Sequence, residues 1–188
     1  MMHAKNIYTV PYRRKREGRT NYKKRLKLLL SEKTRLVVRK SLRGMYAAMV
    51  QYGEQGDNIL AAVSPQELRK LGWVFDRGNI PAAYLTGLLL GQKAKQAGIK
   101  DAVLDIGLQA PVKKSRIYAA LAGVVDAGIE IPHSKEVLPE KERLEGRHIA
   151  AYAAQNPNSH QFSLYKKHGS DAIVLHVSKL KEKILRGE

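Results

Sequence analysis

The fold is decided by Pro81-Ala82-Ala83-Tyr84-Leu85-Thr86-Gly87-Leu88-Leu89-Leu90-Gly91-Gln92-Lys93-Ala94-Lys95-Gln96-Ala97-Gly98 and the apolar run from Ile99 to Ile106 behind it. Pro81 is pre-organised for a first helical turn, and Gly98 suits a helix end. Tyr84, Leu88 and Gly91 fall on one helical face and Leu85, Leu89 and Lys93 on another, so the middle is apolar on most sides and belongs in a core. Lys93 and Lys95 sit in the last turn, where cations meet the negative end of the helix dipole. Gly87 and Gly91 leave room for another backbone to approach. Together with Tyr84 they are expected to serve packing, the less favoured alternative being a ligand site. Ala102-Val103-Leu104 then centres a core strand over 99–106. Ser115 to Ala127 forms a second helix stopped by Gly128, and Ile129-Glu130-Ile131 a short strand before Pro132. Helix, strand, helix, strand in this order implies parallel crossovers.

N-terminal to this unit the pattern changes to short strands. Arg35 to Leu42 is β-branched at its centre, and Met45–Tyr52 and Asn58–Val63 flank the turn-rich Gly53-Glu54-Gln55-Gly56-Asp57. Short strands joined by short turns predict an antiparallel meander. Ser64-Pro65-Gln66-Glu67 has the composition of a helix start, ended soon by Gly72. Trp73 is expected to plug a core edge. The predicted fold class is α/β: a mixed sheet from an antiparallel three-strand meander plus parallel β-α-β crossovers, helices on both faces, a basic N-terminal arm and a partly helical C-terminal tail. In the tail, 139–154 reads as a charged helix broken at Asn156-Pro157-Asn158-Ser159, with a last helix over 179–186. The expected domains are an arm with an amphipathic helix (1–34), an α/β core (35–133) and a C-terminal extension (134–188).

The chain of 188 residues has 34 Lys and Arg against 17 Asp and Glu, a net charge of +17. Residues 1–45 carry 15 of the basic side chains and only two acids, Glu17 and Glu32. Such density repels itself and points to a polyanionic partner. Tyr8, Tyr12 and Tyr22 among these cations suit stacking on exposed bases, which makes nucleic acid the expected partner. A membrane is not expected, because the apolar face available for insertion is small. Residues 1–19 read as an extended arm ordered by its partner. From Thr20, a candidate cap, a helix runs to about Leu30, with Tyr22, Leu26, Leu29 and Leu30 as an apolar stripe to dock on the core and Lys23, Lys24, Arg25 and Lys27 turned outward. There are no cysteines, which excludes disulfides, thiolate metal sites and cysteine nucleophiles. No run is long enough to span a bilayer, and no secretory signal is recognised, so an intracellular protein is expected.

The arm Val10-Pro11-Tyr12-Arg13-Arg14-Lys15-Arg16-Glu17-Gly18-Arg19-Thr20-Asn21-Tyr22, followed by Arg25-Leu26-Lys27-Leu28-Leu29, resembles the ribosomal protein L-eighteen family of archaeal and eukaryotic type, large-subunit proteins that bind 5S rRNA. Arg35–Ser41, Gly78–Leu89, Ala102–Leu108 and the blocks from Ser115 to His133 agree in order and spacing, so the likeness spans roughly 7–133, with the shorter archaeal form the nearer match. The resemblance implies a mixed α/β sheet and a structural role: holding 5S rRNA on the large subunit in the central protuberance, beside large-subunit rRNA and neighbouring ribosomal proteins. Carried over position by position, it implies rRNA contacts at Arg13, Arg14, Lys15, Arg16, Arg19, Tyr22 and Arg25, with Arg39, Lys40 and Arg43 next in rank.

Catalytic signatures are absent from the sequence. Neither a G-x-x-x-x-G-K-[ST] loop nor G-x-G-x-x-G occurs, and the six histidines lack H-E-x-x-H spacing; His160, His168 and His176, eight apart, do not match usual ligand spacing. No cofactor or metal is expected. Asp105, at the end of the core strand before Ile106-Gly107, is the one tempting carboxylate. With Asp101 or Asp126 it would hold Mg²⁺ in an RNA-processing enzyme, the alternative function. The favoured expectation is a strand-end Asp that caps a loop or pairs with Lys or Arg. A third possibility is a non-specific nucleic-acid coating protein.

Overall fold

The computed structural model describes residues 9–156, 160–169 and 171–187. A mixed four-stranded sheet runs β3-β2-β1-β4, built from β1 (Arg35–Lys40), β2 (Met45–Gln51), β3 (Asn58–Val63) and β4 (Val103–Asp105). The first three form the expected meander, antiparallel in the registers Val38↔Ala47 and Ala48↔Ala62. β4 joins β1 in parallel, Leu36 opposite Leu104. The core strand expected over 99–106 is shorter than its apolar run. Residues 100–102 turn their backbone to the other side, where Ala102 N donates to Glu130 O and Asp101 bridges Glu130 in parallel. The strand expected at 129–131 is reduced to that bridge.

Helix α3 (Pro65–Lys70) starts on the capping box of Ser64 and Glu67. Helix α4 (Ile80–Gln96) is capped by Asn79, whose Oδ1 accepts from Ala82 N at 2.9 Å. α5 (Arg116–Asp126) packs against it at very short range: a Cβ at Gly87 would strike the Ala120 carbonyl, and one at Gly123 the Tyr84 carbonyl. The glycines therefore serve backbone approach, as expected for packing. Both helices cover one sheet face, where Leu36, Val38, Met45, Ala47, Met49 and Val63 meet Leu85, Leu88 and Leu121.

The C-terminal residues contribute to the same core. Short helices α6 (Lys141–Glu145) and α7 (Arg147–Gln155) meet at Gly146, whose left-handed φ of 85° lets one cap serve both. α8 (Ser163–His168) leads to α9 (Ala172–Arg186), which starts earlier than the charged 179–186 stretch suggests because Ile173 and Val177 extend its apolar face. Ile173, Val177, Leu180 and Ile184 pack toward α4. Phe75 is the joint: Trp73 meets it edge-on, Tyr165 stacks on it at 4.8 Å, and His168 and His176 stand edge-on at 6.0 and 5.4 Å. Trp73 is buried as expected, its indole N–H donating to Asp76 O at 3.1 Å. Among the described residues no helix is long and apolar enough to cross a membrane.

Candidate nucleic-acid interface

The second sheet face lies away from α4 and α5. Strand alternation sends Leu36 and Val38 to the core and leaves Arg35, Val37 and Arg39 on the open side, with Tyr46, Ala48 and Val50 beside them. Across from this face lies the arm. It begins with a single turn, α1 (Arg13–Arg16), and continues as α2 (Tyr22–Leu29). Between α2 and the sheet is a cleft of about 780 Å³.

Several expectations for the arm are corrected here. Residues 13–16 are helical rather than extended: Tyr12 O accepts from Lys15 and Arg16 N, and Glu17 offsets the local repulsion by pairing with Arg13 at 3.1 Å and Arg19 at 3.3 Å. Gly18, at φ 64°, then turns the chain. Asn21, not Thr20, caps α2, its Oδ1 accepting from Lys24 N at 3.1 Å. The Thr20 hydroxyl instead accepts from Arg14 Nε at 2.9 Å. The apolar stripe is not buried either, since Leu26 and Leu30 are 61% and 74% exposed. α2 faces the sheet with Arg25 and Leu28, and Lys24 and Lys27 line the cleft instead of pointing away. The opposing face carries carboxylates, so ion pairing rather than apolar burial sets the rotation of the helix.

Those carboxylates form an alternating relay. Arg25 reaches Asp57 at 2.8 Å, and Asp57 lies 2.7 Å from Arg35. Arg35 pairs with Asp105 at 3.0 Å, and Asp105 with Arg39 at 3.1 Å. Arg39 also donates to the Asp105 carbonyl at 2.6 Å, and Gly107 N to the Asp105 carboxylate at 2.8 Å. Burial pushes the Asp57 carboxyl up, but hydrogen bonds from Arg25 and Arg35 outweigh it and hold the group below its ordinary value. The bond to Asp57 in turn raises Arg25. Arg35 is 2% exposed, its Nε without an acceptor among the described residues. Asp105 is thus a loop cap and an arginine partner, as favoured from its position. Asp101 pairs with Lys33 at 2.6 Å and Asp126 accepts from the Tyr84 hydroxyl at 2.8 Å, so neither joins Asp105 in a cation site. Among the described residues no group of three His or carboxylate side chains is arranged to hold a metal.

Of the expected contact residues, the cleft gathers Arg14, Arg19, Arg25 and Arg39. Arg13, Lys15 and Arg16 are exposed on the arm's single turn, and Tyr22 packs its ring against Tyr12 at 5.1 Å. Lys40 and Arg43 are exposed at the β1–β2 turn, away from the cleft lining. Tyr8 lies outside the described residues. The sequence reading left out Arg35, Asp57, Tyr46 and the apolar sheet floor. The alternation Arg35, Val37, Arg39 against Leu36, Val38 was the available signal, marking two charges on one strand face. A family model described as ribosomal large subunit proteins 60S L5 and 50S L18 matches residues 6–101 and 92–134.

Proposed function

The chain belongs to this family of ribosomal large-subunit proteins, and on that premise we propose that it binds 5S rRNA and helps attach it to the large subunit in the central protuberance, among large-subunit rRNA and neighbouring ribosomal proteins. Family membership implies a structural role at the ribosome and hence a cytoplasmic one. The observation that supports the RNA-binding site best is the arm itself. Among the described residues, Arg14, Lys15, Arg16, Lys24 and Lys27 pair with no carboxylate, so their charge is available to phosphate. Arginine guanidinium groups bridge two phosphate oxygens or stack on a base, and folded RNA offers phosphates, 2′-hydroxyls and unstacked loop bases.

Ordering the arm costs about 1–2 kcal/mol per residue of backbone entropy. The helical turn at 13–16 and the Arg25–Asp57 bond supply part of that order in advance. Counterion release along the whole arm supplies the rest. The test is a 5S rRNA titration across salt with tRNA of similar length as competitor. Binding that survives excess tRNA supports the assignment; equal loss to either RNA supports generic coating. A chain starting at Arg35 is expected to lose far more affinity than any single arginine variant. Equal affinity from that shortened chain would place the interface elsewhere.

A further inference from the structure

Resting on the RNA-binding reading above, we propose that the cleft between α2 and the sheet takes one unstacked nucleotide of the bound RNA, its base against the strands and its phosphates against the arm. The two walls have different chemistry. The sheet wall is lined by Val37, Ala48, Val50, Ile59 and the ring of Tyr46, with Ala48 and Val50 buried at its base and Ile59 and Tyr46 exposed; the helix wall is lined by Arg14, Arg19, Lys24 and Lys27. A plain phosphate track has no use for an apolar floor, and a plain apolar groove has no use for a cationic rim. A nucleotide carries both features: a flat face that gains from leaving water and an anionic end. RNA-binding proteins commonly read bases of this kind, splayed out of the helix and stacked on aromatic or apolar side chains.

The size and the charge of the cleft agree. About 780 Å³ falls in the range of roughly 300–1,000 Å³ typical of small-ligand sites, and a duplex is far too wide to enter between α2 and the strands. Ile59 is 61% exposed on the outer strand of the sheet, an apolar side chain left largely uncovered by the described residues. Asp57 and Asp105, the carboxylates in the lining, are each held by two arginines, so neither confronts an incoming phosphate unpaired. Arg35 Nε, buried and without an acceptor among the described residues, leaves a donor beside the floor for which a base oxygen or ring nitrogen is a fitting partner. Gly107 is fixed by the same arrangement: at φ 61°, a Cβ there would press on the Arg39 guanidinium.

The direct experiment is an NMR titration of the full chain with adenosine and uridine 5′-monophosphates, with inorganic phosphate as control. Amide shifts at Val37, Ala48 and Ile59 with at least one nucleotide, and at the arm alone with phosphate, are expected. Nucleotide shifts no different from those of phosphate would overturn the proposal and leave the apolar floor to a protein partner. A second arm uses 5S rRNA with Val37→Trp, which fills the cleft, and Ile59→Ser, which weakens its floor at an exposed position. Both are expected to lose about tenfold in affinity with an unchanged salt slope, because no phosphate contact is removed. Wild-type affinity in both variants refutes the pocket while the 5S assignment stands. Failure of the wild-type chain to prefer 5S rRNA refutes the assignment itself.

Discussion

Removing a guanidinium from water costs several kcal/mol, and Arg35 meets that cost with a carboxylate on either side, Asp57 and Asp105. Asp105→Ala leaves the buried charge half-matched and also removes the acceptor for Gly107 N. It is expected to destabilise the fold by about 3 kcal/mol, measured as a fall in the urea midpoint. Asp105→Asn keeps an acceptor for Gly107 N and should recover part of that loss. A metal-site reading predicts the opposite, since removing a carboxylate from an unoccupied cation site relieves repulsion. Gly87 makes a second residue-scale case. Its hypothetical Cβ meets the Ala120 backbone, which yields less readily than a side-chain end. Gly87→Ala is expected to cost about 3 kcal/mol, overriding the better helix propensity of alanine, and a neutral effect on the urea midpoint would show that α4 and α5 are not locked together. At this scale the sequence marked Asp105 and Gly87 as notable. It did not reveal that Arg35 pairs with Asp105, because the partners are 70 residues apart and only the β1–β4 pairing brings them together.

Among the elements, α9 carries the clearest pH dependence. His176 packs edge-on against Phe75; burial lowers its proton affinity, and nearby Lys179 and His168 lower it further. As pH falls, the unfolded chain takes up this proton first. The contribution is therefore complete above about pH 6.5 and is lost progressively below it, down to the folded-state value. His148 in α7, exposed at the surface but lowered by partial desolvation and by Arg143, acts weakly in the same direction. The urea midpoint is expected to drop between pH 7.5 and 5.5, and His176→Gln to shrink that drop without abolishing it. An equal drop in the variant would assign the effect to other groups. The element boundaries of α3, α4 and α5 were legible because their end signals are local: Ser64 with Glu67, Pro81, Gly98 and Gly128. The rotation of α2 was not legible. Its leucine stripe is a true periodic pattern, yet Asp57 at the edge of the sheet draws Arg25 inward, and no property of the helix alone reveals that.

On the scale of the whole molecule, the residues after His133 are not a loose appendage in their packing: α9 and α6 cover α4, and Phe75 links Trp73 to Tyr165. Ile173→Ala, at a fully buried position, is expected to cost about 2–4 kcal/mol and to lower a single unfolding transition seen by circular dichroism and calorimetry together. Removing 135–188 uncovers one side of α4 and should abolish that cooperative transition; an unchanged melting temperature would mean that residues up to 134 hold their own core. By itself the sequence determined the class of the protein: the strand and helix periods, the caps, the asymmetric charge and the family blocks are all written within short windows of chain. Only the tertiary structure decided the cleft. Its floor comes from alternate residues of three antiparallel strands, its rim from the arm and α2 folding back over the sheet they precede, and its relay from Arg25, Arg35, Asp57 and Asp105. Long-range ion pairs have no period, so nothing in a local window records which charge will meet which.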